Sequence, residues 1–418
     1  MKLLVLNSGS SSVKFKLFEI NGNEALVVKG AVERIGQGGA LVHYTCYKEG
    51  EPAPAEQAHG QGGENQIIAG HSDAIECICQ VLASKELGVI KSLKEIAAIG
   101  HRVVHGGEKF SDSVVVNDSV MEAIRECTRL APLHNPPALL GIEACARIFP
   151  GTPQVAVFDT AFHQTLPRKA YLYGLPKELY TEHGIRKYGF HGTSHRYVAG
   201  EAAKLLGKPI EETRLITCHL GNGSSITAVE RGRSIDTSMG FTPLAGVIMG
   251  TRAGDIDPYI PLFLLKELGM TIDEVDRLMN KCSGFLGICQ HTDVRDIVRL
   301  AKEGDQNAEL ALNMFSYRVS RFIGSFAMVL GGVDAIVFTG GIGERSSLIR
   351  GRILERAGYL GVKVDAQRNK EDQSFISTAD SPTAALVVPT DEELVIARDT
   401  ARLLATNATE EKAAATEC

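Results

Sequence analysis

Four consecutive apolar residues, Leu3 to Leu6, run into the polar turn Asn7-Ser8-Gly9-Ser10-Ser11 at the head of the chain, the pattern of a buried strand followed by a reversal. Short β-rich apolar runs of the same kind predict strands over residues 2–6, 13–20, 97–104, 155–158, 215–219, 225–229, 335–338 and 386–388. Between them, apolar positions recur at helical spacing and predict helices over 73–87, 118–130, 137–148, 194–206, 308–330 and 391–405. Pro136 and Pro137 open one of these helices, and Gly151 follows its end. Strands alternating with helices give an α/β architecture with covered sheets. The segment 36–70, rich in Gly, Pro, Gln and Glu, predicts a strand pair with a long surface loop over 49–65. Residues 406–418, polar and alanine-rich, are expected to form a frayed tail.

The opening pattern has an echo. Ile216-Thr217-Cys218-His219-Leu220-Gly221-Asn222-Gly223-Ser224-Ser225 again reads as strand, Gly/Ser/Asn turn, strand. Placing Gly9 on Gly223 separates the two copies by about half the chain, as two related domains would require. Turns dense in Gly and Ser let backbone N–H groups approach an anion closely, although an ordinary tight hairpin has the same composition. A third glycine turn, Thr339-Gly340-Gly341-Ile342-Gly343-Glu344, lies between the strand 335–338 and a helix expected to start near Ser346, a junction beyond a strand end where ligands bind. None of the three has the Walker spacing, and no G-x-G-x-x-G occurs, which disfavours a dehydrogenase.

Composition narrows the partners. With a net charge of −6, no basic block, no Trp and few aromatics, nucleic acid and anionic membrane are poor candidates. There is no apolar run of about 18 residues, so a buried strand, not a targeting segment, is read at the N-terminus. Nine scattered cysteines without zinc or redox spacing read as small core residues of a reducing compartment, and a cytoplasmic location is expected. Two domains are expected for 418 residues of this composition.

Several charged residues sit where an apolar strand meets glycines. Arg102, in Gly100-His101-Arg102-Val103-Val104-His105-Gly106-Gly107, and Arg252, in Met249-Gly250-Thr251-Arg252-Ala253-Gly254, are placed to grip a carboxylate or phosphate, although structural salt bridges would look the same. Asp159 follows the buried run 155–158, with His163 four residues on, and His191 lies in Tyr188-Gly189-Phe190-His191-Gly192-Thr193-Ser194-His195. Near the C-terminus, Thr390 and Glu393 have capping-box spacing, which leaves Glu392 available to hold a divalent cation directly or through water.

Taken together these segments resemble the acetate kinase family, within the wider group of sugar-kinase, Hsp70 and actin-like folds. The resemblance spans residues 7–405 and is carried by Asn7-Ser8-Gly9-Ser10-Ser11-Ser12-Val13-Lys14, the Arg102 segment, Phe158-Asp159-Thr160-Ala161-Phe162-His163, residues 188–195, 219–225, and Met239-Gly240-Phe241-Thr242-Pro243-Leu244. It implies a two-domain actin-like (ribonuclease H-like) fold with a duplicated βββαβαβα core and a cleft between the domains. The first domain would comprise 1–160 with a helix returning at about 390–405, and the second, nucleotide-binding, 161–389. The implied activity is reversible transfer of the ATP γ-phosphate to acetate, giving acetyl phosphate and ADP by direct in-line displacement. Propionate or butyrate kinase, or a non-transferring Hsp70-like ATPase, are the competing readings. By the same resemblance Asn7 and Glu392 bind Mg²⁺, with Mn²⁺ as an alternative. Lys14, His219, Leu220, Gly221, Asn222, Gly223, Asp293, Val294, Arg295, Gly341, Ile342, Gly343, Glu344 and Arg345 bind the nucleotide. Arg102 binds the carboxylate; Asp159 is an active-site acid, and His191 and Arg252 stabilise the transition state. Val104, Leu133, Phe190 and Pro243 form the pocket for the methyl group, where the bulk of Val104 favours acetate over propionate. A homodimer acting on acetate and ATP is implied, with neither nucleic acid nor membrane as partner.

The chemistry suits those residue types. A free carboxylate of pKa ~4 to 5 is already ionised at neutral pH and needs no general base. It needs its charge screened from an anionic phosphoryl group, which is work for arginines, a histidine and a divalent ion. Asp159 is therefore expected to orient Arg or His, or to hold the acid by a hydrogen bond, and not to abstract a proton. Three departures from the family pattern stand out: the long 49–65 loop, Arg345 in place of an Asn, and Cys289-Gln290-His291 ahead of Asp293.

Overall fold

In the computed structural model, which describes residues 1–37, 39–48, 51, 52, 68–84 and 89–416, the opening apolar run is strand β1 (Lys2–Ser8). The loop expected over 49–65 lies, apart from residues 51 and 52, outside the described residues. β1 reverses into β2 (Ser12–Ile20), and β3 (Glu24–Glu33), β4 (Leu41–Lys48) and β5 (Glu51–Pro52) continue an antiparallel meander. β6 (Ile96–Val103) then lies parallel to β1 on its other side, β8 (Gln154–Phe158) parallel to β6, and the two-residue β7 (Val114–Val115) closes the edge. The order is β5-β4-β3-β2-β1-β6-β8-β7.

A second sheet repeats the plan. β9 (Arg214–Leu220), β10 (Ser224–Glu230) and β11 (Arg233–Thr237) form an antiparallel meander, and β12 (Ala335–Thr339) and β13 (Ala384–Val387) follow in parallel on the far side of β9. With β4, β5 and β7 set aside as additions to the first sheet, and each copy counted from its first strand, both sheets have the order 3-2-1-4-5 with the same directions. The duplication predicted from the hairpin echo is thus present as topology. Its register differs from the sequence match: the three residues after β1 begin at Gly9 and those after β9 at Gly221, so Gly9 corresponds to Gly221 and not to Gly223.

The chain divides into two compact units, Met1–Ala161 with Asp391–Cys418, and Phe162–Thr390. In the first, the pleat of β1 sends Leu4 and Leu6 to one face, where they pack with Ile75, Ile78 and Leu82 of helix His71–Leu82 and Cys145 of helix Asn135–Ile148. Leu3 and Val5 face the other way and meet Ile396 and Ala397 of the final helix, Glu392–Thr416. That helix lies tight on the sheet at Gly100: a Cβ there would come within 2.5 Å of Ile396 Cγ2 and 2.6 Å of Thr400 Oγ1. In the second unit Ile216, Cys218 and Leu220 pack with Leu312, Phe315 and Val319 of helix Gln306–Leu330, and Leu215 with Val198 and Ala202 of helix Gly192–Leu205. Eight cysteines are described, all free and seven of them buried; burial pushes the Cys79 thiol up to about 12 and leaves it inert. Among the described residues no helix is long and apolar enough to cross a membrane.

One buried histidine gives the fold a pH dependence. His101 in β6 is 1% exposed, and with the Gln154 amide nitrogen turned toward it Nε2 accepts a hydrogen bond at 2.7 Å while Gln154 also donates to the Ile142 carbonyl at 3.3 Å. Burial pushes the imidazole down to about 4, so the folded ring stays neutral while the unfolded one protonates near 6.5. Its contribution to stability is intact above pH 6.5 and is lost as pH falls toward 4, by about 3 kcal/mol in all. Denaturant titrations of His101→Asn should show a flatter loss of stability between pH 7 and 4 than wild type; parallel curves would remove His101 as the cause.

Candidate functional site

Parallel strands finish on the same edge of a sheet, and in the first unit that edge collects charge. β1 ends with Asn7 and Ser8; Arg102 is paired with Val157 near the end of β6, and Asp159 follows the last residue of β8. Arg102 donates from Nε to Asp159 Oδ1 at 2.9 Å and from Nη2 to Oδ2 at 2.7 Å, a two-point fork, and the same Nη2 lies 3.9 Å from Glu392 Oε2. Asp159 is only 2% exposed. Burial works against the charge on Arg102, but Asp159 and Glu392 more than offset it, and the guanidinium is held above its usual range. Glu392 goes the other way: burial raises its carboxyl well above the usual carboxylate range, Arg102 lowers it, and Asp159 and Glu393 raise it further. Asn7 faces Lys14 across the β1–β2 hairpin, and Lys14 is exposed.

The start of the final helix differs from its expected form. The capping box of Thr390 and Glu393 is not made; Asp391 Oδ1 caps the helix by accepting from Leu394 N at 3.0 Å. Glu393 instead pairs with Lys16 at 3.1 Å, and Lys16 also holds Asp391 at 2.8 Å. Both neighbours of Glu392 are therefore occupied, and Glu392 is the acidic residue of that turn left facing Arg102. Lys16 was not among the expected residues, although alternation along β2 puts it on the same face as Lys14.

The second unit carries a cavity of about 800 Å³, in the size range of a nucleotide site. It is lined by Gly221 and Asn222 of the turn after β9, by Asp293, Val294 and Arg295, and by Gly341, Ile342 and Arg345. Eight of the fourteen residues expected to bind nucleotide thus meet in one place. His219, Leu220, Gly223, Gly343 and Glu344 adjoin it in sequence without lining it, and Lys14 belongs to the first unit. The glycine segment read as a turn is a short helix, Gly340–Arg345, whose first N–H donates to Glu344 Oε1 at 2.9 Å. Glu344 Oε1 also accepts from Thr390 N at 3.1 Å, so this carboxylate holds the local backbone together. Arg350, wholly buried, donates to the carbonyls of Gly343 and Glu344, both at 2.9 Å; nothing in the sequence marks it. Asp293 caps helix Val294–Lys302 and is held by hydrogen bonds from Arg295, which push its carboxyl down to about 2. Gly250 is needed beside Asn222, because a Cβ on it would lie 1.8 Å from Asn222 Oδ1.

His191 and Arg252 converge on the same glycine turn. From the point where a Gly223 side chain would begin, His191 Nε2 lies 3.4 Å away and Arg252 Nη1 3.8 Å. His191 takes the left-handed conformation at φ 57° just ahead of helix Gly192–Leu205, a strain of the kind that recurs at working sites. Its ring stacks on His219 at 4.3 Å, and its Nδ1 lies 2.9 Å from Ser225 Oγ. Among the described residues the Arg252 guanidinium donates to the Pro243 carbonyl at 3.4 Å and meets the Met249 sulfur at 3.9 Å, and no carboxylate pairs with it; burial pushes its pKa down. Of the four residues expected around the methyl group, Val104 and Leu133 lie on the first unit, half-buried and 57% exposed, and the enclosed Phe190 and half-buried Pro243 on the second.

Asn7 and Glu392 supply an amide oxygen and a carboxylate, hard donors suited to a divalent cation that keeps water and substrate oxygens as its other ligands. Among the described residues no group of three or more His, Cys, Asp or Glu is gathered as a closed metal cage.

Comparison with known proteins agrees over the length of the chain. The family model described as the acetokinase family matches residues 2–398. The acetate kinase of Clostridium novyi (strain NT) is 53% identical over 411 residues, covering 97% of this chain and 99% of that one. The crystal structure of Porphyromonas gingivalis acetate kinase superposes with a TM-score of 0.89 at 42% identity, covering 96% of this chain and 99% of the other. A propionate kinase from Francisella tularensis subsp. tularensis SCHU S4 superposes with a TM-score of 0.86 at 45% identity, covering 95% and 98%. Matches of that identity and extent leave one assignment: the chain belongs to the acetokinase family.

Proposed function

We propose that this chain is an acetate kinase, transferring the γ-phosphate of ATP to acetate by direct in-line displacement, and that the reaction runs in both directions. The observation that carries the reading is Arg252, a half-buried guanidinium that no carboxylate pairs with among the described residues, beside His191 and a glycine turn that borders the cavity. A partly desolvated cation without a counter-ion is stabilised when an anion arrives, and a phosphoryl group in transfer brings the most charge. In this reading the second unit's cavity takes ATP, with Gly221, Asn222, Asp293, Val294, Arg295, Gly341, Ile342 and Arg345 against the nucleotide and Lys14, His219, Leu220, Gly223, Gly343 and Glu344 in support. Arg102 binds the carboxylate through donors that Asp159 does not use, and Asp159 orients Arg102 without taking a proton. His191 and Arg252 donate to the oxygens that gain charge in the transition state.

Hydroxylamine trapping in the presence of ATP, Mg²⁺ and a panel of short acids tests the proposal: acetohydroxamate should form with acetate. ATP hydrolysis without any hydroxamate would sink it and leave an Hsp70-like ATPase. The likeness to a propionate kinase favours a second reading, propionate as preferred acid. One methylene discriminates by only about 1–3 kcal/mol, so both acids should react, and Val104, Leu133, Phe190 and Pro243 should make acetate the better. A larger kcat/KM for propionate would replace the first reading with the second.

Asn7 and Glu392 would hold Mg²⁺, or Mn²⁺ in its place. When bound, the ion screens the charge on the phosphates. A cation is what the crowding of Glu392 by Asp159 calls for, since Arg102 already shares its charge between them. Glu392→Ala should raise the Mg²⁺ concentration for half-maximal rate by about 10-fold or more; an unchanged metal dependence would move the assignment to another carboxylate.

We also propose a cytoplasmic homodimer. Inert buried cysteines suit a reducing compartment. For the dimer, helix Tyr259–Lys266 buries none of its residues: Tyr259, Ile260, Leu262 and Phe263 are 43 to 60% exposed, and Ile272 nearby is 77% exposed. An apolar surface of that kind calls for a protein partner. Phe263→Glu should shift sedimentation toward the monomer; a wild-type chain already monomeric at micromolar concentration would dismiss the idea.

A further inference from the structure

The ring of His191 is the end of a buried hydrogen-bond chain. Its Nδ1 lies 2.9 Å from Ser225 Oγ; that oxygen lies 2.7 Å from His195 Nε2, and His195 Nδ1 lies 2.7 Å from Thr217 Oγ1. Ser225, His195 and Thr217 are all fully buried. We infer that Ser225 and His195 are positioning residues that keep the proton of His191 on Nε2, the nitrogen facing Gly223 and Arg252. The inference deepens the phosphoryl-transfer reading and rests on it for its catalytic consequence.

Counting protons gives the direction. A hydroxyl has one proton to give, and Thr217 can give it to His195 Nδ1 at 2.7 Å or to the Thr227 carbonyl at 3.4 Å. The shorter contact takes it. His195 is kept neutral by burial and by the neighbouring rings of His163 and His219, at 5.8 and 6.3 Å, so it carries a single N–H, and that must be on Nε2. It donates to Ser225 Oγ. The Ser225 proton then has His191 Nδ1 as its acceptor, and the neutral His191 ring keeps its own proton on Nε2. Arg252 lies across Gly223 from His191, and the stacked ring of His219 shares a hydrogen bond with Ser194 Oγ at 2.8 Å. His191 therefore turns its Nε2–H toward the place proposed for the phosphoryl oxygens.

The test is nitrogen NMR of the full chain labelled with ¹⁵N-histidine at pH 8, with the His191 signals assigned by their loss in His191→Gln. Wild type should show Nδ1 bare and Nε2 protonated. In Ser225→Ala the two tautomers should mix, and kcat should drop on the order of 10- to 100-fold, the usual effect of removing the group that orients a functional imidazole. KM for ATP and acetate should move by no more than about threefold, which also reports that the variant is folded. His195→Gln, whose amide nitrogen can replace the Nε2–H donor, should keep the wild-type tautomer and most of kcat. A proton on His191 Nδ1 in wild type, or Ser225→Ala with tautomer and kcat both unchanged, overturns the inference. Absence of acyl phosphate from wild type would instead defeat the kinase reading and leave the tautomer result standing.

Discussion

Arg252→Ala is expected to lower kcat by about 10³-fold or more, the scale on which an arginine aimed at a transferring phosphoryl group acts. KM for ATP should change little, because Arg252 does not line the cavity proposed to take ATP. Stability provides a second and independent readout. The half-buried guanidinium lies against a carbonyl and a thioether, so the folded protein carries its partial desolvation without a compensating ion pair among the described residues. Removing it should leave the thermal midpoint unchanged or higher, as happens when a group is retained for activity at the expense of stability. Arg252→Lys keeps the charge but loses the planar fork, and should recover only part of the rate. Single-turnover and thermal-melt measurements on both variants decide the matter. A near-normal kcat rejects the transition-state role, and a strong loss of stability would show that Arg252 is a structural residue whose loss slows the enzyme indirectly.

The strand ends proposed to carry this chemistry are legible because buried parallel strands announce themselves as unbroken apolar runs, and the residue that ends each run stands out. Asn7 after Leu3 to Leu6, Asp159 after β8 and Thr339 at the end of β12 are of this kind. β3 escaped notice because it lies farther from the centre of the sheet, and its Glu24, Lys29, Gly30 and Glu33 blur the alternation. Helix Tyr259–Lys266 escaped for the opposite reason: Tyr-Ile-Pro-Leu-Phe-Leu-Leu is apolar on every side and has no helical period to detect. The helix at Gly340–Arg345 was hidden by its glycines, whose low propensity is overcome by Glu344 and Arg350 holding its two ends. Within the site, Ser225 and His195 could be quoted from the sequence but not linked to His191, since the link depends on the register of β9 with β10 and on helix Gly192–Leu205 crossing them. Side chains that act through other side chains leave no periodicity behind.

Asp159→Ala is expected to be the more damaging change to the molecule as a whole. Arg102 spends two of its five N–H donors on Asp159, and the remaining ones point elsewhere, fixed in direction by the fork. Loss of Asp159 frees the guanidinium to turn toward Glu392, 3.9 Å away, and so misaligns the carboxylate site; kcat/KM for acetate should fall by about 10²-fold or more. It also strands a charge that is only 22% exposed on its side chain, which should cost about 3 kcal/mol, the lower end of the range for a broken buried pair. Replacing both partners together, Arg102→Met with Asp159→Leu, removes the stranded charge and should return most of that stability while leaving the enzyme inactive on acetate. Chemical denaturation of the two variants beside wild type separates the effects. If the double variant is as unstable as Asp159→Ala, the pair acts through packing, and the orienting role assigned to Asp159 loses its support. If it regains stability but not activity, the fork between these two side chains is there to aim a guanidinium at a carboxylate, which the fold itself can do without.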